Sequence, residues 1–263
     1  MRCIVLLITA IVCAAVPAAA QERPFLFSIA TTTPERTPAL RFDYDVGAGE
    51  RGFQSDVASR PEQRLGVQAT RGRLMLLARF GMSDVGSSYQ SSQSGELLYA
   101  LAGLGSAVAL AGGGGVLHEP GGTNILVGRV AAGHSATSWL LHGNLIFHKP
   151  LSSGRDELDV VTTIGWARKL TPAVSLGAEM VGEDLEGFWA PQESEGGARL
   201  LLGPSLRISP AGRRWQLIAT GGPLFHPSDS GRSSAAFRDL PPDTRSGSYV
   251  FKTSLSVSLT PGR

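Results

Sequence analysis

The stretch Ser138–His148, SWLLHGNLIFH, splits by alternate positions into two unlike faces. Trp139, Leu141, Gly143, Leu145 and Phe147 form one; Ser138, Leu140, His142, Asn144, Ile146 and His148 form the other. Successive side chains of a strand point to opposite faces of a sheet. The segment therefore makes a strand with an oily side, an aromatic at each end of it, and a second side carrying two histidines and an asparagine. In a soluble sandwich the oily side would stack on another sheet. In a membrane barrel it would meet acyl chains, with the rings at the two headgroup levels.

The same alternation recurs in both directions. Downstream, Leu158, Val160, Thr162, Ile164 and Trp166 alternate with Asp159, Val161, Thr163 and Gly165. Val174, Leu176, Ala178 and Met180 oppose Ser175, Gly177, Glu179 and Glu183; Leu200, Leu202, Leu206 and Ile208 oppose Arg199, Ser205 and Arg207. Trp215, Leu217, Ala219 and Phe225 oppose Gln216, Thr220 and His226, and the last run sets Tyr249, Phe251, Leu255 and Val257 against Lys252, Ser254 and Ser256. Upstream, Leu40, Phe42, Tyr44 and Val46 oppose Arg41, Asp43 and Asp45. Leu65, Val67 and Ala69 oppose Arg64, Gln68 and Thr70, and Leu74, Leu76, Ala78 and Phe80 oppose Arg73, Met75, Leu77 and Arg79. The Ala/Leu/Gly-rich strands at 96–103 and 106–113 declare no phase. Gly112–Gly115 is not a phosphate cradle, since no Lys-Ser/Thr follows it; it is expected to be a strand end where backbones approach closely.

The connections are expected to run long, short, long, short from Pro38 onward, with a Ser-rich loop over 83–94, a polar loop over 184–195 and a long one over 227–245. Transmembrane barrels sort short turns to one rim and long loops to the other, whereas a sandwich has no reason to. Twelve strands fit between Pro38 and Leu259. Trp139, Trp166 and Trp215 fall beside short turns, and Phe147, Phe225, Tyr249 and Phe251 beside long loops, which makes two interfacial belts. The expected fold is all-β: a transmembrane, antiparallel, up-and-down barrel of about twelve strands.

The first twenty residues, MRCIVLLITAIVCAAVPAAA, have a positive start at Arg2, an apolar core from Ile4 to Val16 and a small-residue site ending at Ala20. That is the form of a secretory signal cleaved before Gln21. Residues 21–37 are read as an N-terminal segment with a further weak strand at 24–32, and 38–263 as the barrel. Cys3 and Cys13, the only two cysteines, both lie within the signal. An exported chain without disulfides must draw its stability from a large core or from the bilayer. The 24 Lys and Arg against 22 Asp and Glu give no basis for nucleic-acid binding through bulk charge.

With AAA-Q at the cleavage site, and with SWLLHGNLIF, ELDVVTTIGWARKLTP, AVSLGAEMVGE, RRWQLIATGGPLF and the terminal YVFKTSLSVSL, the chain resembles Gram-negative outer-membrane β-barrel proteins of the porin-like type over residues 38–259. The resemblance implies a monomeric barrel in the outer membrane, contact with its lipid and lipopolysaccharide, delivery by the outer-membrane assembly machinery, and passive transport without a cofactor. Such barrels usually end on an aromatic residue; here the strand ends at Leu259 and Thr260–Arg263 follow.

If the oily face meets lipid, the other face lines a lumen. The lining candidates are Arg41, Asp43, Asp45, Arg64, Arg73, Arg79, His142, Asn144, Asp159, Glu179, Glu183, Arg199, Arg207 and Lys252. Charges enclosed in a barrel must be hydrated or paired. Folding at the loops brings Asp45 near Arg64 and Arg79, and Glu179 opposite Arg199. The expected function is a passive channel or binding barrel for a small or lipid-like molecule. One alternative is a structural or adhesion barrel acting through its loops. Another is a lipid hydrolase using His142, Asn144 and a serine, although no serine stands in a nucleophile setting. The five histidines show no metal-ligand spacing. Glu183, Asp184 and Glu186 could hold Ca²⁺ against lipopolysaccharide phosphates.

Overall fold

The computed structural model describes residues 34, 38–49, 62–85, 88–103, 108–119, 123–151, 158–189, 198–225 and 248–259. The expected signal, the 24–32 strand, His226 and the 227–245 loop lie outside the described residues. Twelve antiparallel strands form a closed barrel: β1 (Ala39–Gly49), β2 (Glu62–Arg71), β3 (Leu74–Val85), β4 (Ser88–Ala102), β5 (Val108–His118), β6 (Asn124–Ser135), β7 (Trp139–Pro150), β8 (Asp159–Lys169), β9 (Val174–Glu183), β10 (Arg199–Ile208), β11 (Trp215–Phe225) and β12 (Ser248–Ser258). Each pairs with its sequence neighbours. The ring closes where β12 returns to β1, from Arg41↔Ser258 to Gly49↔Val250. Closure leaves no open sheet edge, which is what a strand-built membrane wall requires.

Burial follows the alternation. Leu141, Leu145, Ile164, Trp166, Leu176, Leu202 and Leu206 are exposed on the outer wall, while Asn144, Ile146, Val161, Thr163, Val181 and Leu201 are buried within. No second sheet covers the outer face among the described residues, and apolar side chains so displayed are stable against hydrocarbon, not water. The seven aromatics expected to form the two belts all stand on this outward phase. Trp166, Trp215, Phe225, Tyr249 and Phe251 are exposed. Trp139 and Phe147 are half-buried, and Trp139 lies 4.6 Å from the His134 ring.

Short turns close one rim. Between β2 and β3 only Gly72 and Arg73 intervene, and Gly72 takes a φ of 61°, a conformation glycine reaches without steric cost. At the other rim one expectation fails. The supposed Ser-rich loop at 83–94 is mostly strand: β3 and β4 stay paired through Ser83↔Gln90, Asp84↔Tyr89 and Val85↔Ser88. Serine and glutamine read as loop by polarity, but Ser87–Ser94 contains no Gly or Pro to stop a ladder, and side-chain polarity does not oppose backbone pairing.

The glycine run is likewise mid-strand, at the centre of β5, and not at a strand end. Its function is close approach, as expected: a Cβ on Gly115 would collide with the Gly95 carbonyl, and one on Gly113 with that of Leu97. Gly115→Val is expected to destabilise the barrel by about 1–3 kcal/mol through overpacking. Urea unfolding of the vesicle-embedded protein, followed by tryptophan fluorescence, checks it.

Candidate functional site: the barrel interior

Charge is gathered on the β1–β6 wall. Asp45 is buried and accepts from Arg64 Nε at 2.8 Å, with Arg64 Nη2 at 2.7 Å. On the next strands Glu96, only 3% exposed, is shared by two arginines. Arg129 Nε and Nη2 donate to its two oxygens at 2.6 and 2.8 Å, and Arg79 Nη1 donates to Oε1 at 3.1 Å. The fork of Arg129 thus grips the carboxylate through two parallel bonds, the strongest geometry available to this pair. Near the short-turn rim, Asp43 accepts from Ser256 Oγ at 2.5 Å and pairs with Arg41 Nε at 2.9 Å.

A second polar group spans β9, β11 and β12. Glu179 accepts from Thr220 Oγ1 at 2.8 Å, with Lys252 Nζ 3.8 Å away. Towards the long-loop rim Arg199 clasps Glu183 through Nε at 2.8 Å and also through Nη2. Asp184 accepts from the Val160 backbone N–H at 3.0 Å. Two of the three acidic groups considered for Ca²⁺ are thereby engaged within the protein. Asp159 is buried on β8, and Arg207 is half-buried on the interior phase of β10.

The interior is not polar throughout. Leu117, Ile125, Val127, Ile146, Val161, Val181, Leu201, Leu224 and Val250 join into one buried aliphatic arc that crosses β5 to β12. Met75, Leu77 and Leu98 make a smaller cluster on β3 and β4. Where arc and charges meet lies a cavity of about 60 Å³, whose lining mixes Arg64, Arg79, Ser92, Ser94, Glu96, Arg129 and His148 with Leu117, Val127 and Ile146. Arg129 Nη1 is buried there without a hydrogen-bond partner among the described residues.

Among the lining candidates, Asp45, Arg64 and Arg79 come together as one group with Glu96 and Arg129, and Glu179 with Lys252. Glu179 does not pair with Arg199; strand register puts Glu183 there instead, through Arg199↔Glu183. Arg73 is the exception to interior placement. It occupies the β2–β3 turn, exposed, with its guanidinium 5.9 Å from the Tyr99 ring centre, because the two-residue turn ends before the alternating phase begins. His142 does not meet a serine: its ring lies against Gly165, and its Nε2 has no hydrogen-bond partner among the described residues. Asn144 donates to Thr163 Oγ1 at 3.0 Å.

Glu96 and Arg129 were missed from the sequence. Both faces of β4 and β6 are apolar around them, so alternation alone phases neither strand. The signal that finds them is Leu97, Tyr99 and Leu101 on one parity of β4, and Leu126 and Val130 on one parity of β6, all exposed.

This closed ring of twelve strands has counterparts among solved structures. The KdgM porin superposes with a TM-score of 0.56, covering 84% of this chain and 99% of its own, at 8% identity. The NanC porin gives 0.54, covering 82% and 98%, at 8% identity. The chain has a porin fold. An outer membrane channel from Pseudomonas putida F1 matches at 0.52, covering 88% and 99%, at 9% identity. KdgM is also known in complex with disordered oligogalacturonate. No protein-family model matches the sequence, and no curated protein matches it.

Proposed function

We propose that this chain is a passive outer-membrane channel that passes, or holds in transit, a small or lipid-like molecule. The observation that carries the reading is the cavity of mixed polar and apolar lining at the charged network. Arginines, serines and His148 share its lining with Leu117, Val127 and Ile146, so an amphipathic solute finds both polar and apolar partners there. Its size admits a few ordered waters or the end of a solute. Passage of anything larger requires the Arg79–Glu96–Arg129 group to swing aside. The porin fold of KdgM, NanC and the Pseudomonas putida channel supports a channel over an adhesion barrel or a hydrolase. Export through a cleaved 1–20 signal, delivery by the assembly machinery, contact with lipid and lipopolysaccharide, and function as a monomer belong to the same proposal.

Planar-bilayer recording tests it. The reconstituted barrel is expected to give small, ohmic conductance steps. Arg79→Ala, which removes one positive charge and one of the two grips on Glu96, is expected to enlarge the steps and move selectivity towards cations. A barrel that inserts but carries no current, and lets no small solute swell liposomes, would overturn the channel.

A further inference from the structure

β10 and β11 are joined unlike any other neighbours among the described residues. Their register is constant, with Leu200↔Phe225 and Leu201↔Leu224 at one end and Ser205↔Thr220 onward at the other. Between these, residues 202–204 and 221–223 make no ladder pairs. Pro204 and Pro223 sit in the gap. Proline has no N–H to give a ladder, and inside sheets it is ordinarily confined to edges and bulges. In an antiparallel sheet the hydrogen-bonding groups of a residue point to one neighbour. The flanking ladders run unbroken through Pro204↔Ala178 and Pro223↔Tyr249, so both missing donors fall on the same seam. What closes the seam is backbone contact between glycines: a Cβ on Gly203 would strike the Gly221 carbonyl, and one on Gly222 that of Leu202.

Apolar surfaces meet this seam from both sides. Outside, a groove of about 860 Å³ runs over it, lined by Leu176, Pro204, Leu206, Pro223, Tyr249 and Phe251. Inside, Leu201, Leu224 and Val250 are buried members of the aliphatic arc. We propose that the β10–β11 seam is a lateral port, through which a hydrocarbon chain of the surrounding bilayer passes into the barrel interior. The port rests on the reading of the outer wall as facing the bilayer, and on that reading its occupant is the acyl-chain solvent already there. Parting the strands at this point breaks fewer hydrogen bonds than elsewhere in the ring. The port operates whether or not an aqueous solute crosses the barrel, so it stands or falls apart from the channel.

The test uses the full barrel in phosphatidylcholine vesicles containing alkyne-tagged palmitate. A photoreactive benzoylphenylalanine replaces Leu224 on the inner side, and Phe251 in a second protein on the outer groove. Adducts at both positions are expected. Leu202→Cys with Pro223→Cys places a disulfide across the seam; oxidation is expected to cut the inner adduct at least tenfold, and reduction to restore it. Pro204→Ala with Pro223→Ala returns two ladder donors, and a fall in the inner adduct is expected from it without any crosslink. An adduct at 251 but none at 224, or an inner adduct indifferent to both closures, would overturn the port.

Discussion

Glu96→Ala is expected to destabilise the barrel by about 3–5 kcal/mol, the usual cost of stripping one partner from a buried ion group. The carboxylate is the shared anion of Arg79 and Arg129, which approach it from β3 and β6. Without it, two guanidiniums face each other in a space that holds at most a few waters. The expected readout is a lower urea midpoint at unchanged slope in phospholipid vesicles. Glu96→Leu combined with Arg79→Met and Arg129→Met is expected to recover most of the loss, since a buried ion group replaced whole by apolar side chains is often neutral or better. If the single alanine variant matched the wild type, the network would be a hydrated lining and not a packed one.

Leu145→Arg carries the second large effect. Leu145 stands on the outer phase of β7, 37% exposed, paired with Val130 and Thr162. A guanidinium there displaces hydrocarbon near mid-strand, at about 2–4 kcal/mol, whereas Leu151→Arg, just beyond the strand end, is expected to cost about 0–1 kcal/mol. The depth dependence is the diagnostic. In a water-facing wall the two substitutions would be equally harmless.

Alternation made most of this architecture legible. Wherever one parity is oily and the other polar, as in β1, β8 and β12, sequence and structure agree residue by residue. The pattern fails where both parities are apolar. In β4 and β6 the inward Leu98, Val127 and Ala131 are as oily as the outward Leu97, Leu126 and Val130, so alternation does not phase the Glu96–Arg129 pair. Loop prediction failed for a different reason at Ser88–Ser94, where polarity was taken for irregularity although backbone pairing is indifferent to it. The seam at Pro204 and Pro223 was visible only as two prolines in separate strands. That they share one interface follows from register, which no single segment contains.

Ser256 and Asp43 are joined across 213 positions of sequence. Closing a loop of that size is slow on entropic grounds, and nothing short of the last strand can do it. Until then the growing sheet presents two unsatisfied margins, one on each end strand, in the form most inviting to another chain. The order of synthesis therefore makes the final hairpin the latch of the whole wall, and a nascent copy truncated before Ser248 would be a sticky ribbon instead of a smaller pore.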